Sequence, residues 1–505
     1  MGDDLRSKVA RGAIWTTIEQ VSVQGLNFGL GIVLARLLSP EDYGSIALVT
    51  IFISVAQVIV NSGFGQALVQ KKESDELDVN SVFYTSLGIS LVAYAVLFFA
   101  APYVAAYYET PELRLVLRVL AINLILYSIN AVQSAELYKQ MRFNISCRVA
   151  LITTVVSAAV GISLAFGGWG VWALVGSSIL GNVAGVLARA FYISWHPRLM
   201  FSVERLKPLF RFGGKMLATS LVNTTFNNLY GILIGKFYTK ADLAFVNKGQ
   251  NLPQMLTSNI NAAVIEVAFP ALVQLQDDRP RLCHAMRRLL RISFFIVCPC
   301  MALMAGLAEQ MILFLYGEKW LSCVPYVQIV CASAMVGPLN AVAGMSIVAI
   351  GRSDVTLRLA IIGNLLSLSI LASCLMQGVL FWMVVSTLVG GAIGTGLNMY
   401  CNSHFLSYSL RDQMLDALPS LALCGFLGGS LWLSGRVFPS ATSPGILFVE
   451  LTVKGLLAAF AYLGVMIAFR FRVLQEVVAL VAPKVIRLWP GFARFQTYLG
   501  DPDAS

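Results

Sequence analysis

The sequence predicts an all-α polytopic membrane protein: about 14 transmembrane helices, arranged as two parallel six-helix lobes around a central cavity, plus two C-terminal helices. Three observations carry this prediction. Of 505 residues, 57% are hydrophobic and only 12% charged, where a soluble domain holds about 25% charged residues. The apolar residues come in blocks of about 20, the length that crosses a bilayer as a helix. Two stretches 200 residues apart carry polar residues at matching places, as in a duplicated transporter.

The predicted spans run near 13–37, 43–66, 81–107, 114–135, 147–167, 170–194, 213–236, 243–272, 289–315, 323–350, 356–376, 379–405, 415–437 and 446–470. The span at 243–272 is the most polar. Pro253 and Pro270 are expected to kink or end it locally. The resulting organisation is an N-terminal lobe at 1–200, a C-terminal lobe at 201–410, two added helices at 411–472, and a cytoplasmic amphipathic tail at 473–505. In that tail Val473, Leu474 and Val477 fall among basic residues, a pattern suited to the membrane face. The segment Val203 to Phe212 reads the same way. Near the start, Asp3 and Asp4 lead directly into a full-length span, which reads as an uncleaved anchor.

Charge sets the orientation. Of 36 basic residues, 26 fall in alternate connections on one side and seven on the other. That bias puts both termini in the cytoplasm. The net charge of +10 includes no basic tail or basic–aromatic patch, so it reads as topology and not nucleic-acid binding. Nine cysteines lie mostly inside apolar blocks with no C-x-x-C pair, and His196, His284 and His404 are far apart. Neither set makes a metal constellation or a disulfide framework, and no cofactor is expected.

The repeat locates the candidate site. The turn Arg36 to Asp42 matches Lys236 to Asp242, with six spans before the second copy, so the copies are parallel. Gln20, Gln24, Asn27 and Gly31 fall at i, i+4, i+7 and i+11, one helix face. Ser220, Thr224, Asn227 and Gly231 form the same face 200 residues later, and Asn61 and Gln66 match Asn261 and Glu266. In the eighth span Asn247, Asn251, Gln254, Ser258 and Asn261 continue one face for four turns. Lone polar residues in membrane helices serve as packing glue, worth about 0.6 kcal/mol per hydrogen bond. Five in one stripe exceed that need and point to a wet pathway. Ala47, Ile51 and Val58 stand where the second copy has Asn247, Asn251 and Ser258, so a lopsided cavity is expected.

The charges at these positions leave alternatives open. Arg36, Lys236 and Lys248 are candidate pyrophosphate contacts, or cations snorkelling to the interface. Glu19 and Glu266 are candidate ion-coupling groups; Glu19 is equally readable as a neutral, hydrogen-bonded acid. Arg189 reads as snorkelling, and Glu450 with Lys454 as an i, i+4 pair. Amides and hydroxyls suit sugars and the cations suit phosphate, a combination that points to a glycosylated phospholipid.

Several motifs resemble a known family. Lys8-Val9-Ala10-Arg11-Gly12-Ala13-Ile14-Trp15, Leu34 through Gly44, Phe64-Gly65-Gln66-Ala67-Leu68-Val69-Gln70, Phe212-Gly213-Gly214 and Tyr316-Gly317-Glu318-Lys319-Trp320 resemble Wzx-type lipopolysaccharide and exopolysaccharide flippases. They look close to the colanic-acid exporter branch of the multidrug/oligosaccharidyl-lipid/polysaccharide superfamily. The resemblance implies two six-helix lobes and no covalent chemistry. It also implies transfer of an undecaprenyl-pyrophosphate-linked oligosaccharide from the inner to the outer leaflet by alternating access. The implied partners are the lipid bilayer, the lipid-linked oligosaccharide, a polysaccharide polymerase and glycosyltransferases. A proton or sodium gradient is the expected energy source. The alternatives are a drug or small-solute antiporter of the same superfamily and a membrane-embedded polymerase or acyltransferase. The short outer turns argue against the enzyme.

Overall fold

The computed structural model describes residues 2–61, 75–193, 195–350, 352–375, 378–406, 408–437, 444–469, 471, 473–476 and 478. Side chains at 2–11, 13, 207–216, 218, 219, 263, 266, 267, 270, 271, 353, 354, 357, 436, 437 and 444 also lie outside the description. The Phe64–Gln70 motif, Gln66 and the side chain of Glu266 therefore fall outside it.

The described residues form helices and turns. In order they are α1 (Gly2–Leu37), α2 (Pro40–Asn61), α3 (Glu76–Tyr107), α4 (Leu113–Leu120), α5 (Asn123–Lys139), α6 (Phe143–Phe166), α7 (Val171–Tyr192) and α8 (Val203–Phe237). Then come α9 (Lys240–Gln274), α10 (Arg279–Gly306), α11 (Ala308–Leu315), a 3₁₀ turn (Glu318–Cys323), α12 (Val324–Ala349), α13 (Ser353–Leu375), α14 (Leu380–Phe405), α15 (Leu410–Val437) and α16 (Pro444–Ala468). Among the described residues, twelve helical stretches are long and apolar enough to cross a membrane. The stripe-bearing α8 and α9, 35 residues each, stand outside those twelve. At about 1.5 Å per residue they are long enough to span. Twelve and two make the 14 stretches read from the sequence. Exposed apolar stripes mark lipid-facing sides: Val92, Val96, Phe99 and Tyr103 on α3, and Val449, Val453, Leu456 and Phe460 on α16.

The predicted repeat is present at the level of hydrogen bonds. Before α2, Ser39 N and Oγ donate to Asp42 Oδ2 at 3.0 and 2.8 Å, and Asp42 N donates to Ser39 Oγ at 3.2 Å. Before α9, Thr239 N and Oγ1 donate to Asp242 Oδ2 at 3.1 and 2.7 Å, and Asp242 N donates to Thr239 Oγ1 at 3.1 Å. Each is a reciprocal cap that satisfies the helix's first free donors.

Packing divides the chain into two compact units, Met1–Ala244 and Phe245–Ser505. The predicted lobe boundary at 200/201 counted spans. The packing boundary falls later because α8 lies against α2 and α3. Gly231 and Gly235, a G-xxx-G pair, allow this approach. A Cβ on Gly231 would meet Ile51 at 2.9 Å, and one on Gly235 would meet Leu48 at 2.2 Å. The equivalent Gly31 has nothing within 4 Å, because α1 packs instead on α6. Gly44 is tighter still: a Cβ there would lie 2.0 Å from the Lys240 carbonyl oxygen.

The local expectations fare unevenly. Residues 203–212 form the first turns of α8 and are no separate surface helix. Its Leu206 packs into a cluster with Val79, Val82 and Val132. α9 runs through Pro253 and Pro270 without ending. Val473, Leu474 and Val478 are buried in the core of the second unit with Leu290, Phe294 and Tyr462, while Val477 and residues 479–505 of the expected amphipathic tail lie outside the described residues.

The linker before α8 is clasped to the start of α3. Asp75 and Asp78 cap α3 reciprocally, and Arg205 pairs with Asp75 at 3.3 Å. Arg198 N donates to Asn80 Oδ1 at 2.8 Å, and Ser202 N to Ser81 Oγ at 3.0 Å. Asn80 and Ser81 are fully buried, so these bonds satisfy polar groups that would otherwise be costly.

Candidate functional site

In the first unit, the stripes on α1 and α8 remain accessible. Gln20, Asn27, Ser220 and Asn227 are exposed, and Gln24 and Thr224 are half-buried. Asn61, the last residue of α2, is exposed. In the second unit, α9 exposes Asn251, Gln254 and Ser258, with Asn247 and Asn261 half-buried. Mid-helix amides facing lipid would each cost about 2–7 kcal/mol. Exposed polar residues on such helices are candidates for a face that meets water.

The candidate cations separate from one another. Arg36 is exposed. Lys236 is held at the end of α3, where its Nζ donates to the Tyr107 carbonyl at 2.7 Å, pairs with Glu109 at 3.6 Å and lies 4.7 Å from the Tyr107 ring centroid. Lys248 neither snorkels nor lines an open face: it is 7% exposed. Its ammonium lies 4.8 Å from the Tyr316 ring centroid and 5.6 Å from that of Trp320. The Tyr316–Trp320 motif thus builds an aromatic cage. Gly317 turns it with φ +89°, a conformation that favours glycine. Phe245 stacks edge-on to Trp320 at 5.8 Å.

A polar seam in the first unit, with Asn123 buried and its partners half-buried, was not legible as a site. Asn182 Nδ2 donates to Asn123 Oδ1 at 2.9 Å, Asn123 Nδ2 to Ser178 Oγ at 3.1 Å, and Arg189 Nη1 to Asn130 Oδ1 at 2.7 Å. Arg189 therefore turns inward, contrary to the snorkelling expected. Gly185 leaves it room: a Cβ there would lie 3.2 Å from Arg189 Nη1. Glu19 joins from α1: Ser146 Oγ lies 3.5 Å from its Oε1, and Arg189 is near enough for direct charge interaction. The available signal was the shared seven-residue spacing of Asn123/Asn130 and Asn182/Arg189. The seam has a counterpart in the second unit, where Asn398 Nδ2 donates to Asn340 Oδ1 at 2.6 Å between α14 and α12.

The second unit also holds a charge network. Arg287 donates to Asp416 at 2.7 and 3.4 Å, Tyr408 Oη donates to Asp416 Oδ2 at 2.7 Å, and Arg291 pairs with Glu476 at 2.7 Å. Burial, and then the bond to Asp416, push the Tyr408 phenol well above its usual range. The expected Glu450–Lys454 pair is present on α16. No cluster of three or more metal-ligating side chains occurs among the described residues.

Comparison with known proteins agrees with the motif resemblance. The family described as "Polysaccharide biosynthesis protein" matches residues 33–325. The chain is 23% identical to the lipopolysaccharide biosynthesis protein WzxC of Escherichia coli (strain K12) over 360 residues, 70% of this chain and 72% of that one. It is 26% identical to the succinoglycan biosynthesis transport protein ExoT of Rhizobium meliloti (strain 1021) over 328 residues, 64% of this chain and 66% of that one. Its fold is similar to the solved inward closed conformation of the lipid II flippase MurJ, with a TM-score of 0.69 at 14% identity, covering 90% of this chain and 98% of that one.

Proposed function

The chain belongs to the polysaccharide biosynthesis protein family, and from that membership we propose that it is a flippase. It moves an undecaprenyl-pyrophosphate-linked oligosaccharide from the inner to the outer leaflet of a bacterial inner membrane by alternating access. The product feeds exopolysaccharide or lipopolysaccharide assembly beside a polymerase and glycosyltransferases. One observation carries this reading: mid-helix amides and hydroxyls stay exposed on α8 and α9 while other helices expose apolar stripes. Such a chain offers its hydrophilic cargo a polar surface and its lipid tail the bilayer. The named relatives support the polysaccharide pathway, one of them as a transport protein, and the fold is shared with a lipid II flippase.

The cations, charge bias and carboxylates extend the reading. Arg36, exposed near the end of α1, is the candidate contact for the pyrophosphate. The basic bias puts both termini in the cytoplasm. Glu19, whose Oε1 lies 3.5 Å from Ser146 Oγ, is the candidate for coupling to a proton or sodium gradient. Reconstitution into liposomes with a fluorescent lipid-linked oligosaccharide tests the function. Leaflet transfer under an imposed gradient supports it; no transfer under any gradient sinks it.

A further inference from the structure

The second unit contains a cavity of about 310 Å³ lined by the end of α10, by α11, the 3₁₀ turn, the start of α12 and the end of α15. Its size is at the small end of ligand pockets, about 300–1,000 Å³. The lining side chains include Glu309, Gln310, Gln328 and Trp432. Gln310 is 2% exposed, yet its Oε1 has no hydrogen-bond partner among the described residues. A buried amide oxygen without a partner is unfavourable by about 1–3 kcal/mol, and the Gln310 side chain that carries it lines the cavity. Gly435 makes the placement possible, since a Cβ there would lie 2.7 Å from Gln310 Nε2. Gln328 is fixed by donating to the Ala305 carbonyl at 3.3 Å. Trp432 adds an accessible indole, and Glu309 adds a carboxylate in reach of solvent.

We propose that this cavity binds a neutral sugar residue of the transported glycan; the identification as glycan rests on the flippase reading. Two amides and a carboxylate supply acceptors and donors for vicinal hydroxyls, and the indole supplies an apolar face with a polar edge for a pyranose ring. Among the described side chains, no Lys or Arg lines the cavity. Glu309, a carboxylate on the lining, repels both a phosphate and a uronate. The cavity also has a definite side. α10 runs 28 residues from Arg279 to Gly306, about 42 Å at 1.5 Å per residue. The cavity thus lies a bilayer's thickness from the arginine-rich end, which the charge bias assigns to the cytoplasm. It receives sugar on the outer side, where the cargo leaves.

The test is saturation-transfer NMR on the full chain in lipid nanodiscs, with millimolar glucose, galactose and N-acetylglucosamine as probes and glucuronate as the charged control. The neutral sugars are expected to give signal and glucuronate little. Gln310→Leu is expected to weaken neutral-sugar binding roughly fivefold, the loss of one hydrogen bond. Trp432→Leu and Gly435→Ala, which reach the site differently, are expected to weaken it too. Glu309→Gln is expected to raise the glucuronate signal. No signal from any neutral sugar, or equal signals from wild type and all three weakening variants, overturns the proposal. Leaflet transfer measured on the same preparation separates the two ideas. Transfer without sugar binding removes only the cavity's role; binding without transfer removes the flippase reading.

Discussion

Asn182 donates to Asn123 Oδ1 between α7 and α5, and Asn398 donates to Asn340 Oδ1 between α14 and α12. The same pair of helices is tied by the same pair of side chains in each unit, at an offset of 216 to 217 residues instead of 200. Replacing Asn182 by Leu leaves Asn123 buried without this partner and is expected to cost about 1–3 kcal/mol. The double variant Asn123→Leu/Asn182→Leu is expected to recover part of that loss. Thermal unfolding in detergent of both singles and the double measures the coupling.

Gly44 faces a backbone oxygen, which cannot move aside as a side chain can. Gly44→Ala is expected to destabilise the first unit by at least about 1–3 kcal/mol, the usual effect of overpacking. A melting temperature equal to wild type would contradict the contact with Lys240.

The caged lysine gives a third test. Trp320→Leu removes a cation–π partner worth about 1–2 kcal/mol in a desolvated site. The loss is expected to be smaller when Lys248 is already Met. Equal losses in the two backgrounds would mean that the ring and the ammonium are not coupled.

Tyr408 lies between α14 and α15, and its phenol is pushed upward by burial and by Asp416. An unfolded tyrosine ionises at about pH 10. The folded one keeps its proton longer, so its contribution is complete below about pH 10 and declines as pH rises above that. Tyr408→Phe is expected to be less stable at neutral pH and to show a flatter loss of stability on the alkaline side. Parallel melting curves across alkaline pH would refute this.

The accessible stripe predicts function without stability. Asn251→Leu and Gln254→Leu on α9 are expected to slow leaflet transfer several-fold while leaving the melting temperature within the roughly 0.5 kcal/mol typical of surface changes. A large drop in melting temperature with normal transfer would show that these amides hold the fold together instead.

Much of this was legible in the sequence, for reasons tied to periodicity. Block length exposed the membrane helices, and i, i+4, i+7 spacing exposed the faces carrying Asn251 and Gln254. Periodicity reports which face is polar, not which neighbour covers it. Lys248 looked like a surface cation because the rings that bury it lie about 70 residues away. Arg189 looked like a snorkelling end residue because Asn130 is a partner only after α5 and α7 pack. The G-xxx-G pair on α8 holds that helix against α2, which moves the packing boundary past the boundary of the repeat. Glu309, Gln310 and Gln328 show no common period, so their convergence on one cavity exists only in the folded chain.

The clasp between the linker and α3 has a consequence for synthesis. Asn80 and Ser81 leave the ribosome 118 and 121 residues before the amides of Arg198 and Ser202 that occupy them. At about 5–20 residues per second, that is an interval of roughly 6–24 s. During it two buried polar side chains wait without those partners while four helices enter the bilayer. The start of α3 is therefore finished by chain made long after it, and a nascent protein stalled before residue 198 would carry an open seam at that point.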